Sequence, residues 1–204
     1  MAKNDFLSGS VFEFKVPKDL GFAYCKILDF RYIREFDGLL AKVFDYIVKE
    51  PLSDIRILAS NDWLFGARRL ACLPNTRGKG AWKFKGVVVS EDDNIIPDFK
   101  YSNKLSPLIE DESVINEWYA IKNIRESNNI PCTYMQVRHL EDTSVGSQYG
   151  IEIRTAMEFY RQQGLNIKEN FDLNDTANYN IYRAMVNVPI YNTISKKIRG
   201  MALC

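Results

Sequence analysis

The 204-residue chain, 23.6 kDa, carries 27 Lys and Arg against 26 Asp and Glu, a formal net charge of +1. That balance supplies no global field to draw in a phosphate backbone, and 46% apolar with 13% aromatic residues is too rich in core-forming side chains for a disordered polymer. No apolar run approaches the roughly 18 residues of a membrane span, and MAKNDFLSGS lacks the apolar centre of a secretory signal, so the expected address is the cytoplasm.

In chain order, SVFEFKVP alternates with period two and places Phe12, Phe14 and Val16 on one side of a strand. PKDLG then reverses the chain with a fixed-φ proline, a side chain able to bond its own backbone, and a glycine. FAYCKILDF (22–30) and LAKVFDYIV (40–48) are rich in aromatic and β-branched residues and are expected to be strands. The charged RYIREFDG between them ends in the turn dipeptide Asp37-Gly38 and is expected at the surface. IRILA reads as a short strand. AWKFKGVVV reads as another, with Trp82, Phe84 and Val87 facing inward.

From Asp92 to Pro107 the chain becomes loop-like, which predicts a division into a β-rich, barrel-like domain over 1–106 and a mixed α/β part over 107–204, packed on the first. ESVINEWYAIKNI fits a helix or a short helix feeding a strand, and periodicity does not separate the two. CTYMQVRHLED reads as a strand. QYGIEIRTAMEFYRQQG is the clearest helix, with Ile153, Ala156, Met157 and Tyr160 at i, i+3, i+4 and i+7 and Gly164 as its stop. A second helix is expected from Asp175 to Val186, and the cationic SKKIRG near the end is expected to be a solvated face.

Cys25, Cys72, Cys132 and Cys204 are far apart and form no Cys-x-x-Cys pair. They are expected to be unpaired, Cys25 and Cys72 as small buried apolar residues and Cys204 exposed at the terminus. With one histidine in the chain, neither a metal nor a cofactor is expected.

Three constellations invite chemistry, and each has a plainer reading. In RHLED, His139 and Glu141 would share a strand face as an acid/base pair, but no nucleophile or second histidine accompanies them, so a structural role is favoured. NTRGKGAWKFKG sets glycines and cations beside aromatics, yet the full phosphate-loop pattern is absent, and alternation puts Lys83 and Lys85 opposite Trp82 and Phe84. Paired carboxylates among Asp29, Glu35, Asp37 and Asp45, or in EDDN (91–94), come with no companion motif.

The ordered set GSVFEFKVP, FAYCKILDF, LLAKVFDYIV, WKFKG and PDF resembles the immunity-26 family of bacterial polymorphic toxin systems, and VRHLED followed by an amphipathic helix is similar to that family's C-terminal section. Cys25 stands where the family often has glycine, and the chain beyond Gly164 has no assigned counterpart. The resemblance implies a cytoplasmic, non-catalytic antidote that binds a cognate toxin, with Gly9, Phe12, Tyr24, Trp82, Gly86, Pro97 and Phe99 as scaffold. The contact residues would then lie on exposed loops: Arg31, Tyr32, Arg34, Glu35 and Asp37 on one, and Asp62, Trp63 and Arg68 on the other.

The expected architecture is therefore α+β, a strongly bent antiparallel sheet or small SH3-like barrel with a mixed helical C-terminal part. The expected function is toxin neutralisation by protein binding. The alternatives are a nucleic-acid-binding small barrel and, behind it, a hydrolase.

Overall fold

A computed structural model describes residues 8–33, 38–124 and 129–204. The period-two pattern at the N-terminus becomes strand β1 (Ser10–Val16), antiparallel to β2 (Gly21–Asp29), which pairs with β3 (Leu39–Val43). Registers Phe12↔Cys25, Phe14↔Ala23, Cys25↔Val43 and Ile27↔Ala41 stack the small and large apolar residues of three strands on one face. The reversal uses left-handed backbone at Lys18 and Asp19 and ends on Gly21, whose φ is +117°. An added Cβ there would stand 2.1 Å from the Val48 carbonyl oxygen, so Gly21 is required both by its dihedral and by the close approach of the chain at Val48.

Around this hairpin the sheet grows to six strands in the order β5-β1-β2-β3-β4-β9, with β4 (Arg68–Leu70), β5 (Lys83–Val87) and β9 (Val145–Gly146). Only the β4–β9 pairing is parallel, which makes the sheet mixed. The edges β5 and β9 are not paired with each other among the described residues, so no closed barrel forms there. A second sheet has the order β6-β7-β8, from β6 (Phe99–Tyr101), β7 (Trp118–Ile121) and β8 (Asn129–Cys132). The helices are α1 (Tyr134–Val137), α2 (Gln148–Gln162), α3 (Ile167–Asn170) and α4 (Thr176–Val186). None of the described helices is long and apolar enough to cross a membrane. The whole is α+β.

α2 supplies the lid of the main core. Ile153, Ala156 and Met157, joined by Ile151, bury against Phe12, Phe14, Cys25 and Leu39, and Met185 of α4 closes the cluster. Ser147 caps the helix by accepting from the Gly150 amide, and Gly164 follows with a φ of +68°. Trp82 stacks on Phe14 at 4.6 Å and donates from Nε1 to Glu152 at 2.7 Å, which ties β5's entry to α2.

The opposite face of the sheet is covered as well. Val11, Tyr24, Phe44, Leu58 and Val88 form one cluster there, and Leu28, Phe30, Leu40, Ala67 and Phe99 another. Strand residues Val11, Tyr24, Leu28 and Leu40 are met there by Phe30, Phe44, Leu58, Ala67 and Val88 from the connecting segments, and those segments are where the expected elements shift. The strand expected to run to Val48 stops at Val43, because Phe44 turns to pair with Trp63 and Val48 returns to pair with Phe22. IRILA is a 3-10 turn over Ile55–Ser60 rather than a strand, started by Asp54 accepting from the Arg56 amide. A bulge between Val11 and Phe12 shifts the β1–β5 register so that Phe84 lies opposite Phe12 and Val87 opposite Ser10; β5 is an edge strand, and the two side chains stay 43% and 41% exposed rather than buried.

In the C-terminal part, ESVINEWYAIKNI resolves as a 3-10 turn over Glu112–Val114 feeding β7. CTYMQVRHLED is not one strand: β8 ends at Cys132, and Thr133 with Gln136 forms a reciprocal capping box that starts α1. Trp118, Ala120, Val137 and Leu140 make the small core of this region. Cys132 and Cys204 are joined in a disulfide, against the expectation of unpaired thiols, and Cys72 is exposed while Cys25 is buried.

Gly21→Ala should lower unfolding free energy by at least about 2 kcal/mol in chemical denaturation, because it combines a disfavoured dihedral with a backbone clash. A loss under about 0.5 kcal/mol would mean that the Phe22–Val48 bridge is not held in solution.

Candidate functional site

Period two sends Glu13, Tyr24, Lys26 and Lys42 to the face away from α2, where water would ordinarily meet them. Here that face is covered, and each charge has a partner. Lys26 has no exposed surface; its Nζ lies 2.5 Å from Asp93 Oδ1 and 2.7 Å from Ser90 Oγ. Lys42 reaches Asp92 at 3.2 Å. Glu13 accepts from Tyr24 Oη at 2.9 Å and pairs with Lys85 at 3.2 Å, while Tyr24 Oη accepts from the Leu52 amide. Burial, with Glu13 beside it, drives the Tyr24 hydroxyl far above its ordinary range. Asp92 and Asp93 of EDDN are thus counterions for two sheet lysines; the 3-10 turn Glu91–Asn94 presents them.

Trp63 sits over this network. Its ring packs on Phe44 at 4.6 Å, with Lys42 5.1 Å and Lys26 5.9 Å from the ring centroid. A shallow cleft of about 160 Å³ opens there, lined by Trp63, Asn61, Asp92, Lys26 and Ser90. Asp62 beside it binds Arg199 through both oxygens, at 2.8 and 2.7 Å. Burial works to raise the Asp62 carboxyl, but the Arg199 bonds outweigh it and hold the group below its ordinary value. Arg199 belongs to SKKIRG, so that segment is not simply a solvated face: Lys196 and Lys197 are exposed, and Arg199 is fixed.

The other expected contact loop begins at the opposite end of β3. Tyr32 is 75% exposed, and Arg31 makes a bidentate pair with Asp29 at 3.1 and 2.6 Å. Arg34, Glu35 and Asp37 lie outside the described residues. Arg68 is not on an exposed loop; it lies in β4 with its side chain 11% exposed, bonded to Glu141 at 2.9 Å and to Ser144 at 2.7 Å. The structure therefore places Asp62 with Trp63, and Tyr32 with Arg31, at two ends of one strand, and Arg68 in an interior ion cluster.

That cluster also absorbs RHLED. Glu141 is held between Arg68 and Arg154, the latter at 3.1 Å, while His139 turns the other way and meets the Met201 carbonyl at 2.7 Å. The two side chains do not converge as an acid/base pair. Arg154 also lies 3.8 Å from Glu158, whose carboxyl is pushed up by burial in spite of Arg154 and Arg161. Asp142 faces Arg68 at 3.4 Å and accepts from Ser144. Burial would raise its carboxyl, but Arg68 and the Ser144 bonds bring it down to about 2. A third network joins Lys100 and Glu112 at 2.5 Å, with Arg183 3.7 Å from the same carboxylate; burial pushes Glu112 up against the pull of Lys100.

In the glycine loop, Arg77 and Lys79 are exposed, and Gly80's carbonyl accepts from Gln148, so the loop is bound to the start of α2. Trp82 is buried and Lys85 is engaged by Glu13, which leaves Phe84 as the single exposed ring of this stretch, next in sequence to the exposed Lys83. Among the described residues no three His, Cys, Asp or Glu side chains are grouped to hold a metal ion.

Two outcomes follow from these networks. Lys26→Met strands Asp93 in the interior and should cost about 3 kcal/mol or more, and adding Asp93→Leu should recover a substantial part, a coupling that a double-mutant cycle would read directly. Strictly additive losses would show that the pair does not act as one unit. Asp142 titrates at about 2 when folded against 3.8 ordinarily, so the unfolded chain binds the extra proton between those values and stability falls as pH drops through that window. The contribution is about 2 kcal/mol; Asp142→Asn should be less stable at pH 7 and flatter in acid, and unchanged acid dependence would contradict the pairing.

A family model described as Immunity protein 26 matches residues 8–111. No curated protein and no solved structure matches the chain. The matched stretch contains β1 to β6 and the turns that carry Asp92, Asp93 and Trp63. Within it Phe12, Tyr24, Trp82 and Phe99 are buried, and Gly9 and Gly86 take positive φ. The match covers more than half of the sequence and most of the large sheet with its polar covering layer, and on that ground the chain belongs to the immunity protein 26 family.

Proposed function

We propose that this protein neutralises a cognate bacterial toxin by binding it directly, in the cytoplasm, with no catalysis of its own. The observation that carries the reading is the family membership over residues 8–111. The chemistry of the surface supports it. Trp63 is a half-buried indole, backed by Phe44, ringed by Lys42 and Asp92 and beside the Asp62–Arg199 pair; a rigid aromatic anchor with a polar rim is the composition of a binding hot spot. Tyr32, with Arg31 beside it, offers a second exposed aromatic, and Arg34, Glu35 and Asp37 follow it in the sequence. Arg68 is committed to the interior ion cluster, and the reading does not need it.

The mechanism is occlusion. The sheet and its ion networks hold Asp62 and Trp63 in place, so little ordering of that turn remains to be done on binding, and opposite charges set which toxin fits. The reading expects a toxin gene adjacent to this one, and the test is protection in co-expression with that toxin's domain, together with affinity measured on the purified pair. Trp63→Ala should weaken binding at least about 30-fold, and Tyr32→Ala about 5-fold or more, while Cys72→Ser, an exposed change outside these loops, leaves it intact. Failure of the unaltered protein to protect would reject the function. Protection untouched by both aromatic changes, with melting curves showing folded variants, would reject the surface.

A further inference from the structure

The disulfide Cys132–Cys204 ties the end of β8 to a strap, residues 195–204, that runs from the turn of Asp62 and Trp63 to α1. Near its start, Arg199 binds Asp62 through both oxygens, and one of these, Oδ1, also accepts from the Trp63 amide at 2.8 Å. Farther on, the Asp98 amide donates to the Gly200 carbonyl and Asp98 Oδ2 accepts from the Ala202 amide, both at 2.8 Å. His139 Nε2 meets the Met201 carbonyl. The Leu203 amide donates to the Gln136 carbonyl at 3.2 Å, and the Leu203 carbonyl accepts from Gln136 Nε2 at 3.3 Å.

What the strap lacks is a core. Ile194 is buried, but no residue from 195 to 204 is, and Met201 and Leu203 are 56% and 50% exposed. Ordering each residue costs conformational entropy, and burial of apolar surface is what ordinarily offsets it. Hydrogen bonds on so open a segment compete with water, and the Arg199–Asp62 pair is partly screened because the Asp62 side chain is 33% exposed. Arg199 also rests on the Tyr191 ring and bonds the carbonyls of Asn192 and Ile194, so it folds onto the root of its own segment, and Asp62 joins it to the sheet. The covalent bond is therefore the strap's strongest anchor. It is also within reach of a reductant, since Cys204 is exposed and Cys132 half-buried.

We infer that Cys132–Cys204 is a redox latch: closed, it holds residues 195–204 and, through Arg199, steadies the Trp63 turn; opened by a dithiol, it releases the strap and loosens that turn. In the opening step a thiolate of the dithiol attacks Cys204 Sγ, the bond to Cys132 breaks, and Cys132 leaves as a thiolate and takes up a proton. The second sulfur of the dithiol then displaces Cys204, which is protonated in turn. Two electrons and two protons reach the protein, and the reductant departs as its own disulfide. A thiol-rich cytoplasm favours the open state. The latch needs no toxin; that its opening slackens the toxin's anchor rests on the proposed function.

The test is residue-by-residue amide hydrogen exchange on the Cys72→Ser protein, which removes an exposed third thiol, with and without dithiothreitol and with no toxin present. Reduction should speed exchange at least about 10-fold at Asp98, Ala202 and Leu203 and at least about threefold at Trp63, and leave the amides of β1 and β2 as they were. Cys204→Ser should show the same pattern before reductant is added and no change after. Arg199→Gln, with the disulfide closed, should loosen Trp63 alone. Full reduction, read as a mass gain of two hydrogens, with unaltered exchange at Ala202 and Leu203 would overturn the inference. So would loosening there that stops short of Trp63, or a loss of protection that spreads through β1 and β2 and marks the disulfide as a general brace.

Discussion

Lys26 stands in the middle of the large sheet with no surface in water, and its ammonium is held by Asp93 and Ser90. A sheet of this kind, with α2 on one side, would commonly leave its other side to solvent. Here the strands carry Glu13, Lys26 and Lys42 on that other side, and the chain covers them. Covering is tolerable only because each charge meets a counterpart, since an unmatched one would face the full desolvation penalty. The position of the EDDN turn, of Tyr24 against Glu13, and of Trp63 over the two lysines all follow from that requirement.

The same requirement explains why the candidate binding loop is rigid. Trp63 is pinned from below by Phe44 and the lysines, and Asp62 from the side by Arg199. A loop so held loses little freedom when it meets a partner, which suits the proposed role of binding another protein. The residues that carry the family resemblance do the holding: Phe12 and Trp82 in the α2-facing core, Tyr24 in the polar layer, Gly86 at the bulge where a Cβ would stand 2.9 Å from Ile55.

Local pattern revealed the elements whose cause is local. Alternation located β1 and β2, the i, i+3, i+4 spacing located α2, and Asp175 signalled the start of α4, which it caps. What alternation cannot show is whether the polar side of a strand meets water or another layer, so nothing in the pattern marks Lys26 and Lys85 as bound. Their partners lie 67 and 72 residues away and share no spacing with them. The Cys132–Cys204 pairing spans 72 residues and the Arg199–Asp62 pair 137. One miss had a visible signal: Thr133 followed three residues later by Gln136 is a helix start, and it was masked by the β-rich flavour of CTYMQV. Of the expected contact residues, exposure was right for Tyr32 and wrong for Arg68, because a short strand of RRL looks the same whether its arginines meet solvent or carboxylates.

The order in which the main core is assembled has its own consequence. Phe12, Phe14, Ala23, Cys25 and Leu39 all lie in the first forty residues, but Ile153, Ala156 and Met157, which cover them, arrive more than a hundred residues later. During synthesis this apolar face waits uncovered while the middle of the chain is made. A nascent protein in that state presents aromatic and aliphatic side chains on a paired hairpin with open edges, a template for edge-to-edge association that only the arrival of α2 removes.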